Sequence, residues 1–133
     1  MIGLDTNVVV RYLAQDDARQ SAAASRLLEG LTVDAPGLIT TIVLVEIVWV
    51  MEDAYGVDRA GTASLVERLL QTGTLLIQDA EIVWRALARF RNGRADFADY
   101  LVERTCAAQG CEATYTFDRN AARESDGGMT LVE

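Results

Sequence analysis

Short apolar runs alternate along the chain with longer stretches in which apolar residues recur every three or four positions. Turn residues at Asp34-Ala35-Pro36-Gly37, Tyr55-Gly56, Thr72-Gly73, Asn92-Gly93, Gln109-Gly110 and Asp126-Gly127-Gly128 separate them. The pattern predicts a strand at Ile2–Asp5, helices at Asn7–Gln15 and Ala18–Leu31, and a strand at Leu38–Thr40. Helices follow at Thr41–Tyr55 and Arg59–Gln71, the second with Asp58 as N-cap. A strand at Leu75–Gln78, helices at Glu81–Arg91 and Asp96–Gln109, a strand at Ala113–Phe117, a short helix and a strand at Met129–Val132 complete the order. The run IVLVEIVWVM has the composition of a strand. Its length, with Thr40 and Thr41 available as caps, favours a mostly buried helix. Short apolar strands alternating with helices predict an α/β domain with a largely parallel sheet.

At 133 residues, half of them hydrophobic, the chain suits one domain spanning 1–133. No apolar run reaches the ~18–20 residues of a membrane span, and the N-terminus has no basic segment or cleavage site. The expectation is a soluble, unprocessed cytoplasmic protein. Cys106 and Cys111 match no zinc or redox spacing, which points to free thiols.

Two absences narrow the chemistry. The chain has no histidine and no lysine, so all 12 cations are arginines. Serine–histidine triads, histidine-paired cysteines, histidine zinc sites, Walker A loops and Schiff bases are thereby excluded. Carboxylates, tyrosine, cysteine and metal-activated water remain as the main acid–base repertoire. The net charge of −8 argues against broad attraction to nucleic acid. A polyanionic substrate would need local arginines, metal ions at an acidic cluster, or a basic partner protein.

Parallel α/β sheets place ligands at the C-terminal ends of their strands. Asp5 follows the first strand there, and Asp118 repeats the arrangement after TYTF. Each could equally be a helix N-cap. Glu46 is the sole charge between Ile42 and Met51, so a buried position would need an arginine, a route to solvent, or a metal. In ADFADYLVER, Asp96 suits an N-cap, while Asp99 lies one turn into the helix, towards its interior side.

Asp5, Glu46, Asp99 and Asp118 come from four elements that an α/β topology can bring to one edge. Two carboxylates about 4 Å apart repel by roughly 4 kcal/mol at an effective dielectric near 20, so the four would raise each other's pKa or recruit a cation. Oxygen donors suit Mg²⁺ or Mn²⁺, which can acidify water for in-line attack on a phosphodiester.

At these residues the chain resembles the PIN domain nucleases, and within them the VapC-type toxins of toxin–antitoxin pairs. The resemblance rests on GLDTNVVVRYL, TTIVLVEIVWVM, ADFADYLVERTCAAQGC and ATYTFDRNAAR, which span nearly the whole chain in the family's order. It implies a three-layer α/β/α sandwich with a central, mostly parallel five-stranded sheet, a homodimer, and Mg²⁺- or Mn²⁺-dependent endoribonuclease activity. It also implies a cognate VapB-type antitoxin. Asp5, Glu46 and Asp99 take the family's three principal acidic positions and Asp118 the fourth. Asp96 is auxiliary, Thr6 and Asn7 hold the loop after the first acid, and Thr116 does likewise near Asp118.

Arg94 and Arg119, beside acids of the cluster, are candidates for substrate phosphate or for pairing with those acids. Arg85, Arg89, Arg91 and Arg94 with Trp84 and Phe90 could form a patch that contacts RNA. The apolar spacing of Ile82, Val83, Ala86, Leu87 and Phe90 favours instead a solvated face for Arg85 and Arg89. Trp49 and Met51 read as core or dimer contacts. Alternative functions for the same fold are a non-catalytic phospho-acceptor signalling domain, which would lack its usual lysine, and a partner-binding scaffold.

Overall fold

A computed structural model describes residues 1–124 and 128–133. The predicted turn at Asp126-Gly127 lies outside the described residues. The chain divides into two compact units, Met1–Gln78 and Asp79–Glu133, and each is considered by itself.

The first unit runs β1 (Ile2–Gly3), α1 (Thr6–Ala14), α2 (Ala18–Glu29), β2 (Gly37–Ile39), α3 (Thr41–Tyr55), α4 (Arg59–Gln71) and β3 (Leu75–Ile77). The strands form a parallel sheet in the order β1-β2-β3, with Ile2 opposite Gly37 and Ile39 opposite Ile77. Gly37 begins the central strand for lack of space, since a Cβ there would lie 2.7 Å from Leu4 Cδ1. The core gathers Leu4, Val9, Val10, Ile39, Leu44, Ile47, Val48, Val66 and Leu69. Oxygen side chains start each helix: Asp17 accepts from the Gln20 N–H at 2.8 Å, Thr40 from Val43 at 3.3 Å, and Asp58 from Gly61 at 2.8 Å. Gly56, at φ +65°, ends α3 in the left-handed region that a residue with a Cβ enters only with strain.

The ambiguous run IVLVEIVWVM is helical, as its length suggested. It is less buried than expected. Leu44, Ile47, Val48 and Met51 form its inner stripe, while Ile42 and Trp49 are 74% and 63% exposed. Trp49 is therefore not a core residue, whereas Met51 is.

The second unit runs α5 (Ala80–Asn92), α6 (Phe97–Ala108), β4 (Tyr115–Thr116), α7 (Arg119–Glu124) and β5 (Thr130–Leu131). Val83, Ala86, Leu87 and Phe90 of α5 face Phe97, Tyr100 and Leu101 of α6 in a buried seam. Phe90 meets Phe97 and Tyr100 edge to face, with ring centroids 5.8 and 6.4 Å apart. Strands β4 and β5 pair in parallel, with α7 packed against both.

All five expected strands are present and every pairing is parallel. Among the described residues, their hydrogen bonds give a three-stranded sheet and a separate pair instead of one five-stranded sheet. β1, β4 and β5 span only two residues each, which leaves few backbone groups to carry a longer ladder. Among the described residues no helix is long and apolar enough to cross a membrane. Cys106 and Cys111 are free, as their spacing suggested.

Candidate functional site

The acids singled out in the sequence fall into two groups, one in each unit. In the first unit, Asp5 directly follows β1 and serves as the N-cap of α1, its Oδ1 accepting from the Thr6 N–H at 2.8 Å. The expected strand stops short of it. Leu4 still donates its N–H to Leu38 O at 3.0 Å, and Asp5 then turns the chain into the helix. Thr6 is buried, and its hydroxyl donates to Glu46 Oε1 at 3.2 Å. One threonine therefore ties the first acid's loop to the acid of α3. Asn7 is exposed at the start of α1, beside a groove lined with Val8, Arg11, Ala23 and Leu27.

Of the outcomes left open for Glu46, the structure shows the route to solvent: the residue lies on the exposed side of α3 and accepts from the Thr6 hydroxyl. The surrounding apolar run misleads because a 15-residue helix presents all its faces in sequence but buries only one stripe.

In the second unit, Arg94, Ala95, Asp96, Asp99, Asp118, Asn120 and Ala121 line a recess of about 300 Å³. Asp96 is the N-cap of α6, and Asp99 reaches back one turn to accept from the Asp96 backbone N–H at 3.2 Å. Burial pushes the Asp99 carboxyl above its ordinary value of 3.8. The Asp96 N–H opposes that shift, and the negative charges of Asp96 and Asp118 add to it. Asp99 is thus a half-buried acid that pays for its charge and is surrounded by its own kind.

Asp118 opens α7, with its Oδ1 accepting from the N–H groups of Asn120 at 2.9 Å and Ala121 at 3.1 Å. The Thr116 hydroxyl accepts from the Asp118 N–H at 3.0 Å and fixes the bend after β4. Arg94 belongs to the recess; Arg119 is exposed on α7 and is not among the residues lining it. Arg85 is exposed and Arg89 partly so, on the outer face of α5.

Three features of this region were not anticipated. Asn120 contributes a neutral polar side chain to the recess. Gly93 makes the α5–α6 joint possible: a Cβ there would run into the Tyr100 hydroxyl and lie 2.8 Å from its Cζ. That hydroxyl in turn accepts from the Ala95 N–H at 3.3 Å, directly before Asp96. Finally, Glu103 at 5% exposure is the most deeply buried acid among the described residues. It is held by the Arg104 guanidinium through both carboxylate oxygens, so the most buried carboxylate is an ion-pair partner outside the recess. Glu103 and Asp99 sit on one helix, and the pairing with the adjacent Arg104 sets Glu103 apart.

The donor set in both groups consists of carboxylates with hydroxyl and amide neighbours, which fits a hard divalent cation. Among the described residues no three acids or cysteines converge closely enough to hold an ion by themselves. Desolvation and the neighbouring charges of Asp96 and Asp118 all disfavour the charged form of Asp99.

The family model for the PIN domain matches residues 2–125, and the chain belongs to the PIN domain family. Among solved structures, the chain is similar to the crystal structure of VapC20 from Mycobacterium tuberculosis, described as a toxin that cleaves the sarcin-ricin loop. The two are 23% identical over 92% of this chain and 94% of that one, with a TM-score of 0.45. No curated protein matches the chain.

Proposed function

We propose that this chain is an endoribonuclease of the VapC toxin type that hydrolyses RNA phosphodiesters with a divalent metal, Mg²⁺ or Mn²⁺. The observation that carries the reading is the environment of Asp99: a half-buried carboxylate, raised above its ordinary pKa and facing two more acids, in a chain of the PIN family. Besides its part in the cap of α6, an acid in that setting gains from a bound cation.

In this reading the whole chain acts as one domain. Asp5, Glu46, Asp99 and Asp118 would hold the ion, with Asp96 in support. A divalent ion bound there supplies Lewis acidity towards the phosphodiester and makes water acidic enough to attack near neutral pH. The residues of the chain do the positioning. Thr6 holds Glu46 through its hydroxyl while its backbone holds Asp5. Thr116 fixes the backbone at Asp118, and Asn120 with Arg94 lines the recess where a phosphate would enter. Water attacks phosphorus, the P–O3′ bond breaks, and O3′ takes a proton, leaving 3′-hydroxyl and 5′-phosphate ends. The substrate's 2′-hydroxyl is not consumed.

The reading includes a homodimer, a VapB-type antitoxin and a cytoplasmic setting. Ile42 and Trp49 on α3 are apolar surface available to such a partner. The test is cleavage of an RNA panel by purified protein in Mn²⁺, with end mapping. Cleavage should yield 3′-hydroxyl ends and disappear in EDTA and in Asp99→Asn. Equal cutting by Asp99→Asn or in EDTA would overturn the reading.

A further inference from the structure

Two aromatic side chains stand out on the stretch of chain that runs up to Asp118 of the recess. Phe117 is 81% exposed and Tyr115 68% exposed, on the segment that leads from β4 into α7. Phe117 immediately precedes Asp118, whose backbone N–H is held by Thr116, so the ring is carried on a fixed bend one residue from the recess. A phenyl ring this exposed contributes nothing to the core, whose aromatic seam is built from Phe90, Phe97 and Tyr100.

Charge adds a second constraint. With a net charge of −8, the chain gains little affinity for RNA from general phosphate neutralisation. An uncharged contact adds to what local arginines or a metal ion supply, and stacking of a base on an aromatic ring is such a contact in single-stranded recognition. Arg94 and Asn120 in the adjoining recess suit the phosphate and sugar of the same nucleotide.

We infer that Phe117, assisted by Tyr115, is a stacking platform for an unpaired base next to the phosphate held in the recess. The inference rests on the nuclease reading for the identity of the ligand, but the stacking itself needs no metal. It makes the protein a reader of single-stranded or looped RNA, in which the flanking base can leave its helix.

The experiment titrates single-stranded RNA oligonucleotides carrying 2-aminopurine with the full chain in EDTA, where no cleavage competes. Wild type should quench the 2-aminopurine fluorescence. Phe117→Ala should lose that quenching and raise Kd about tenfold, by the same factor from about 50 to about 200 mM salt, because no charge is removed. Phe117→Trp should restore both quenching and affinity, which a merely structural role for the ring would not produce. Unchanged Kd and quenching in Phe117→Ala overturns the inference, as does a wild type that binds none of the oligonucleotides. So does a Phe117→Ala variant that changes oligomeric state by size-exclusion chromatography while keeping wild-type RNA affinity, because the ring would then be a protein contact. If the ring-dependent quenching is present but RNA stays intact in Mn²⁺, the platform stands and the nuclease reading falls.

Discussion

Asp99 concentrates the conflict between stability and chemistry. Its carboxyl is raised by burial and by the charges of Asp96 and Asp118, so the folded state holds the proton more tightly than the unfolded chain does. Charging it therefore destabilises the fold. The penalty is absent below the ordinary value of 3.8, grows as pH rises through the raised value, and is constant above it. Asp99→Asn, measured by thermal melting without divalent ions, should raise Tm at pH 7 and lose that advantage at about pH 3. In the same variant RNA cleavage should fall by about a hundredfold or more. A Tm advantage that persisted at low pH would mean that something other than the charge had changed. Ser21 offers a control without functional content. Its hydroxyl is buried in α2 and, among the described residues, has no hydrogen-bond partner. Ser21→Ala should stabilise the protein by about 1 kcal/mol in urea unfolding, with RNA cleavage unchanged.

At the scale of elements, the α5–α6 joint decides where the acids of the recess stand. Gly93 leaves room for the Tyr100 ring, and the Tyr100 hydroxyl accepts from Ala95 one residue before the α6 cap. Gly93→Ala should destabilise the protein by about 2 kcal/mol, because backbone and a buried ring must part. Tyr100→Phe in the same chain should recover part of that loss, a coupling that a double-mutant cycle in urea would read directly. The helices themselves were largely legible in the sequence, because each starts at an oxygen side chain and most show an apolar stripe of helical period. Strand ends were less so. Asp5 and Phe117 look like strand residues by composition, yet Asp5 caps a helix and Phe117 lies past the last paired residue of β4. Strand pairing depends on partners that are distant in sequence, and neither Leu38 for Leu4 nor Val132 for Thr116 is visible from the local run. The same limit hid the Gly93–Tyr100 contact and the exposure of Glu46, which depend on what packs against a helix.

For the molecule as a whole, the absence of histidine and lysine leaves carboxylates, tyrosine, cysteine and metal-activated water as the main acid–base groups, an exclusion read from the sequence alone. The acids it selected lie at an Asp5–Thr6–Glu46 linkage in one unit and around the Asp99 recess in the other. What local sequence could not rank was burial: Glu46 is exposed, Glu103 is buried and ion-paired, and Asp99 lies between. An acidic surface also bears on how RNA is approached. With a net charge of −8, binding should vary weakly with salt compared with basic nucleases, and it should strengthen when Mg²⁺ or Mn²⁺ is added. The central claim is that these carboxylates act together through a divalent ion to cut RNA. The most direct measurement is end-mapped cleavage of an RNA panel by wild type and Asp99→Asn, each in Mn²⁺ and in EDTA. The account expects fragments with 3′-hydroxyl ends from wild type in Mn²⁺ and from no other combination; fragments of equal yield from Asp99→Asn, or from wild type in EDTA, would contradict it.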